Sequence, residues 1–295
     1  MKKFLLTFLF KFLAILPTRI RLLIGASITL ASPLFFKKRI EVVEKNLSLC
    51  FPELSETQRH QLCQQHIRAL FQSFIDRSVL WYGSTQRIQE MVETQGEHYL
   101  HDAIAKGDSI LLLAPHFTGL DAAATRLTMN VKESATMYAP QKDLVFDEII
   151  RHGRARFNTV HLCSRHEGIR PILTYLKKGG IPVYYLPDMS FSKKDSIFVP
   201  FFGIDTATLP STAILAKRFN TTVLPILTFW NPKTGKYLVK VLPAMQNFPG
   251  DQDIASATAE LNLILENWIR DNPSQYYWVH KRFKTRPEGA PNLYE

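Results

Sequence analysis

The chain of 295 residues is 46% hydrophobic and carries 36 Lys and Arg against 26 Asp and Glu, a formal net charge of +10. That length and apolar content suffice for one large core, and no internal repeat or low-complexity linker divides it, which excludes a solenoid or a string of small modules. Three cysteines, Cys50, Cys63 and Cys163, are an odd number without CxxC spacing, which excludes a disulfide framework and a zinc ribbon and places the soluble part in a reducing compartment.

Residues 1–36 are strongly apolar, yet Lys11, Pro17, Arg19 and Arg21 interrupt them. The uncharged pieces Phe12 to Thr18 and Leu22 to Phe36 fall short of the ~20 residues that cross a bilayer cleanly. Lys2 and Lys3 suit a signal peptide, but no small-residue cleavage site follows at the right distance. The prediction is an uncleaved N-terminal membrane-anchoring helix over residues 1–36, either a tilted span or an interfacial helix with snorkelling Lys11, Arg19 and Arg21. Lys37-Lys38-Arg39 marks its cytoplasmic flank. Residues 37–295 then form the single globular domain.

Ser55, with Gln58 three residues on, predicts a capping box and a helix running to about Tyr82 with an apolar stripe of Leu62, Ile67, Leu70, Phe71, Phe74 and Ile75. From there strands and helices alternate. Strands are predicted at 109–115, 133–139, 158–163, 181–187, 221–230 and 237–242, with helices at 98–106, 119–129, 143–157, 168–178, 211–220 and 254–270. The expected fold class is α/β, a mixed, mainly parallel sheet flanked by helices.

The first strand, Ile110 to Ala114, is an uninterrupted apolar run stopped by Pro115, and His116 follows where strand hands over to helix. Carboxyl ends of strands in open α/β sheets are where ligands bind. Asp121 lies five residues on. If His116 is in the turn and Asp121 in the first helical turn, the carboxylate can accept the Nδ1 proton and leave Nε2 to take a proton from a hydroxyl. Thr118 and Asp121 equally fit a capping box.

Arg151, Arg154 and Arg156 fall at the end of one predicted helix, where they complement its dipole or contact phosphate or an oxyanion. The segment 181–203 is a strand ending in Pro187-Asp188, then a polar loop, then Phe198, Phe201 and Phe202, which are core or the lining of an acyl-chain site. His161, Cys163 and His166 lack a second ligand cluster, so no metal is predicted. The C-terminal stretch 273–289 mixes Tyr276, Tyr277 and Trp278 with Lys281, Arg282, Lys284 and Arg286, a pattern that suits single-stranded nucleic acid or a lipid interface. The apolar N-terminus decides for the membrane over nucleic acid.

These motifs together resemble the late acyltransferases of lipid A biosynthesis, the lauroyl/myristoyl transferase family. The likeness runs through Arg39-x6-Asn46-Leu-Ser-Leu-Cys50-Phe-Pro52, His116-Phe-x3-Asp121, Gly153-Arg154-x-Arg156, Pro187-Asp188, Phe198-Val-Pro200-Phe and Gln275-Tyr-x-Trp278-x-His280-x-Arg282-Phe-Lys-Thr-Arg-Pro-Glu-Gly289. It implies transfer of a fatty acyl chain from acyl carrier protein to a hydroxyl of an anionic, Kdo-bearing lipid A precursor, without cofactor, at the cytoplasmic face of the inner membrane. His116 would be the general base and Asp121 its orienting acid. Arg154 or Arg156, or the backbone amides near Gly119, would stabilise the oxyanion or bind acceptor phosphate, and Asp188 would bind substrate. No Gly-x-Ser-x-Gly elbow is present, which argues against a serine acyl-enzyme. The family often reads Asp-x-Asp-x-Gly after this proline; here Ser190 and Ser192 stand in place of the second acid and the glycine. A lysophospholipid, glycolipid or amino-acid lipid is the rival acceptor, and a membrane-tethered binding protein, with His116 and Asp121 merely capping a helix, is the rival class.

Overall fold

A computed structural model describes all residues from Met1 to Glu295. In chain order the elements are α1 (Lys2–Ile15), α2 (Thr18–Cys50), α3 (Glu56–Tyr82), α4 (Thr85–Met91), β1 (Val92–Gln95), α5 (Glu97–Lys106), β2 (Ile110–Leu113), α6 (Leu120–Thr128), β3 (Glu133–Tyr138), α7 (Leu144–Arg154), β4 (Thr159–Ser164), α8 (Arg170–Lys178), β5 (Pro182–Tyr185), β6 (Ile197–Phe201), β7 (Ile204–Thr208), α9 (Ser211–Phe219), β8 (Thr222–Trp230), β9 (Tyr237–Val241) and α10 (Ile254–Asp271). Seven strands form one sheet in the order β1-β9-β8-β2-β5-β3-β4, parallel throughout except where β8 meets β9, while β6 and β7 pair as a separate antiparallel hairpin. The α/β class and every strand and helix expected after residue 98 are present. Four elements went unforeseen, α4, β1, β6 and β7, because they are short and lack a clean period.

β2 and β5 are buried along their whole length, as parallel strands covered on both faces must be. One face carries Ile110, Leu112 and Tyr184 into a core shared with α3, α5, α6 and α7; the other carries Leu111, Leu113, Val183 and Tyr185 against α8 and α9. A third cluster gathers Leu47, Phe51, Phe117, Phe201, Tyr276, Trp278 and Phe283. Tyr276, Trp278 and Phe283 of the C-terminal motif and Phe201 of β6 are therefore core, not a lipid belt or a nucleic-acid platform. Arg282 is likewise buried, donating to the Ala207 carbonyl at 2.7 Å and to Thr208 at 2.9 Å. Its cation satisfies backbone where the sequence pattern suggested a surface charge.

The helix over 56–82 begins with the expected reciprocal capping box, Ser55 N–H donating to Gln58 Oε1 at 2.8 Å and Gln58 N–H to Ser55 Oγ at 3.3 Å. Ahead of it the chain makes two helices, because Pro17 cannot continue the first. One of them, α2, is long and apolar enough to cross a membrane by length and composition; its single non-helical residue is Phe36, three residues after Pro33. All large exposed apolar side chains except Phe74, Leu144, Ile214 and Leu263 belong to residues 1–36. Yet α1 is no free tail: Phe10 stacks 5.6 Å from Trp81 and lies 5.9 Å from Tyr82. Arg21 does not snorkel either. It is buried, with Nε donating to Asp76 Oδ1 at 3.1 Å, and Asp76 also accepts from the Tyr237 hydroxyl at 3.0 Å. An isolated cation there would be prohibitively desolvated, so the ion pair fixes the α2 to α3 contact.

Candidate active site

Parallel register sets the centre of the site. β2 pairs with β5 so that Leu113 faces Tyr185, and the Ala114 amide still donates to the Tyr185 carbonyl at 3.0 Å. Continuing that register past both strand ends puts Pro115 level with Pro187 and His116 level with Asp188. The side chains meet: His116 Nδ1–H donates to Asp188 Oδ1 at 2.7 Å, and the His116 amide donates to Oδ2 at 2.9 Å. Asp188 is buried. Burial would push its carboxyl up, but His116 beside it outweighs that and holds it below the usual range. With Nδ1 protonated toward a carboxylate, Nε2 is left as an acceptor facing the adjoining cavity.

That cavity, about 370 Å³, runs between α6 and strands β2 to β5. Its lining brings His116, Asp121, Arg77, Arg154, Met189 and Tyr277 together with a mainly apolar wall that includes Leu112, Ala124, Leu127, Val131, Ala135 and Met137. A few polar groups converging on an apolar tunnel is the layout of a site for a long hydrocarbon with one reactive end.

Asp121 does not reach His116. It sits in the first turn of α6, where Oδ2 accepts from Arg77 Nε at 2.8 Å and Oδ1 from Arg154 Nε at 2.9 Å. Burial opposes its ionisation, but Arg154 and Arg77 win and hold it at about 2. The capping box expected at this helix is not formed either: Gly119 is the N-cap, and the Thr118 hydroxyl is buried without a partner. Arg154 reaches the cluster because Gly153 lets α7 lie directly on Trp81; a Cβ there would fall 2.3 Å from the indole Cγ. Gly119 is buried against the sheet and is not part of this cavity's lining, a Cβ on it falling 2.7 Å from Thr228 Cγ2. Arg156 also lies elsewhere. It donates to the carbonyls of Leu80 and Gly83 and so caps the C-terminus of α3.

The family model described as bacterial lipid A biosynthesis acyltransferase matches residues 1–285. The chain belongs to the bacterial lipid A biosynthesis acyltransferase family. It is 31% identical to a lipid A biosynthesis lauroyltransferase of Escherichia coli K12 over 88% of this chain and 84% of that one. A lipid A biosynthesis palmitoleoyltransferase of the same organism is 28% identical over 95% and 90%. A lipid A biosynthesis myristoyltransferase is 30% identical over 85% and 76%. The protein is thus an acyltransferase of lipid A biosynthesis.

The family's C-terminal motif has a structural reason within this acyltransferase. Gln275 continues the sheet by exchanging hydrogen bonds with Trp230, 2.7 Å and 2.8 Å, and its carbonyl accepts the Thr118 amide at 2.8 Å, tying down the turn after His116. The Tyr276 hydroxyl donates to the Asp188 carbonyl at 3.2 Å. Ser190 donates its amide to His280 Nε2 at 2.9 Å. Both strand ends of the dyad are therefore clamped by one segment. Sequence reading missed Arg77, which lies in no motif, and gave Asp188 no orienting role; the repeated strand-Pro-His and strand-Pro-Asp endings were the signal that pairs it with His116.

Buried titratable groups give the acyltransferase an acid limit. Burial holds His66 at about 4, against a bond to the Ser274 carbonyl, and burial with Arg282 and His116 nearby holds His280 at about 4. Both are depressed below the unfolded value of about 6.5, so the unfolded chain binds more protons and stability falls as pH drops from about 6.5 toward 4. Asp121, depressed to about 2, contributes stability present above about pH 4 and lost as pH falls toward 2, on the order of 2 kcal/mol. Melting temperature followed from pH 7 to pH 3 should decline through the histidine window first; a flat profile above pH 4.5 would contradict the buried neutral histidines.

Proposed function

We propose that the enzyme transfers an acyl chain from acyl carrier protein to a hydroxyl of a Kdo-bearing lipid A precursor in one displacement, with His116 as general base and Asp188 as the acid that orients it. The observation that carries this reading is the His116–Asp188 pair at the mouth of an apolar tunnel. Nε2 takes the acceptor's proton as the hydroxyl attacks the thioester, and Asp188 stabilises the imidazolium so formed. The basic surface suits an acidic carrier protein and an anionic lipid alike. The exposed apolar residues of 1–36 support an anchor in the inner membrane with the domain on its cytoplasmic face.

The test is a transfer assay with purified full-length enzyme in mixed micelles, with acyl-acyl carrier proteins of graded length, a Kdo-bearing lipid A precursor, and product mass read by mass spectrometry. A mass gain of one acyl group on the precursor is expected; acylation of a lysophospholipid in preference to it would overturn the reading. Tunnel depth adds a prediction about length. The cavity is lined along β3 and the residue after it, from Ser134 to Ala139, a rise of ~16 Å at ~3.3 Å per residue. An extended chain with bonds of ~1.5 Å advances ~1.3 Å per carbon, so roughly twelve carbons fill it. Ser134→Leu should shift the product toward shorter chains, since each excluded methylene forfeits about 0.8 kcal/mol of burial. An unchanged chain-length profile would remove the tunnel from the acyl site.

A further inference from the structure

The reading above leaves unassigned what carries the negative charge that develops on the thioester oxygen. Arg77 and Arg154 stand at the tunnel mouth with His116. Each spends one Nε–H on Asp121 and neither makes another hydrogen bond to the protein, so four terminal guanidinium nitrogens are without a protein partner on two side chains that line the cavity. The planes are held in place: Arg77 stacks 4.3 Å over the Phe74 ring and 5.6 Å over Trp81, and Gly153 pins the helix that carries Arg154 against the same indole. Two guanidiniums and one carboxylate leave one unit of positive charge unspent in a half-buried site. Asp121, which the spacing with His116 had suggested as that residue's partner, is instead the anchor that aims both arginines.

We propose that Arg77 and Arg154, clamped together on Asp121, form the oxyanion site of the acyl transfer. The inference rests on the dyad and tunnel reading. The acceptor oxygen bonds to the thioester carbon while its proton passes to His116 Nε2, and the carbonyl π pair moves onto oxygen. That oxyanion accepts hydrogen bonds from the free Nη–H groups of Arg77 and Arg154, where the unspent positive charge matches the single negative charge. Collapse restores the carbonyl, the C–S bond breaks, and the departing sulfur takes the proton back from His116, giving ester and thiol. Forked, fixed donors aimed at developing charge need no reorganisation during the step.

The test measures an anion and a rate. Wild-type enzyme should bind dodecylphosphonate, a tetrahedral anion on a chain of the tunnel's length, about tenfold or more tightly than neutral lauramide. Arg77→Met and Arg154→Met should each remove that preference and leave lauramide within about twofold. Each should also lower kcat about a hundredfold or more, with the KM for the lipid acceptor within about twofold. Arg77→Lys keeps the charge beside Asp121 and serves if the Met variant folds poorly; without the fork it should still lose about tenfold in kcat. Unchanged phosphonate preference in the arginine variants would overturn the assignment. So would a raised acceptor KM with kcat kept, which would give the pair to an acceptor phosphate. An active His116→Ala enzyme would instead sink the underlying reading, whatever the arginines bind.

Discussion

His116→Ala is expected to lower kcat by about a hundred- to ten-thousandfold, the range for loss of a positioned general base. The fold should survive, because the backbone amide of residue 116 still donates to Asp188 Oδ2. Stability should nevertheless fall by about 1 to 3 kcal/mol, since the other oxygen of a buried carboxylate loses its donor. Thermal melting and steady-state transfer kinetics on the same preparation check both parts. Transfer at near-normal rate by the Ala variant would remove His116 from the chemistry and leave the dyad a structural ion pair.

Asp188→Asn should be as damaging to the rate, and for a different reason. Asparagine is isosteric and can keep its carbonyl oxygen on the His116 amide. Its NH2 would then face Nδ1, force the proton onto Nε2 and leave no base pointing at the acceptor; in a serine protease triad the same change costs about ten-thousandfold. Asp121→Asn is the contrast. It leaves the His116 tautomer untouched and instead replaces the carboxylate that both Arg77 and Arg154 hold. A pH–rate profile separates the two. Asp188→Asn should flatten the acid-side rise in rate that a general base imposes, whereas Asp121→Asn should keep that rise at a lower plateau. An Asp188→Asn enzyme of wild-type rate would return Asp121 to the candidacy its spacing gave it.

How far the site was legible follows from which links are local. His116 was identifiable because an apolar strand run, a proline and a histidine are contiguous, and ligands gather at such strand ends. Arg154 was identifiable as part of an arginine cluster with a glycine beside it. Its neighbour two residues on, Arg156, has the same composition and charge, yet faces the C-terminus of α3 instead of the cavity. Two residues turn a helix through about 200°, to the opposite side, and no pattern of charge along the chain says which side meets the cavity. Asp188 and Arg77 lie 72 and 39 positions from His116; nothing local links them to it.

The sequence by itself determined the alternation of elements, the apolar N-terminus, the reciprocal cap at Ser55 and the strand end at which His116 lies. These depend on periodicity, proline and side chains a few residues apart, which the chain encodes locally. Only the tertiary structure decided partnership. Strand order makes β5 the neighbour of β2, and their register then delivers Asp188 to His116. The packing of α3 and α7 across Gly153 delivers two arginines to Asp121 and so takes it from His116. A separate cluster with α2, α3, β6 and α10 draws the C-terminal aromatics inward, because burying Trp278 and Phe283 stabilises more than displaying them, at about 25 cal/mol for each Å² removed from water. Hydrophobic burial is non-directional, so composition can say that such residues will be covered, while the face they cover is fixed only when the whole chain has folded.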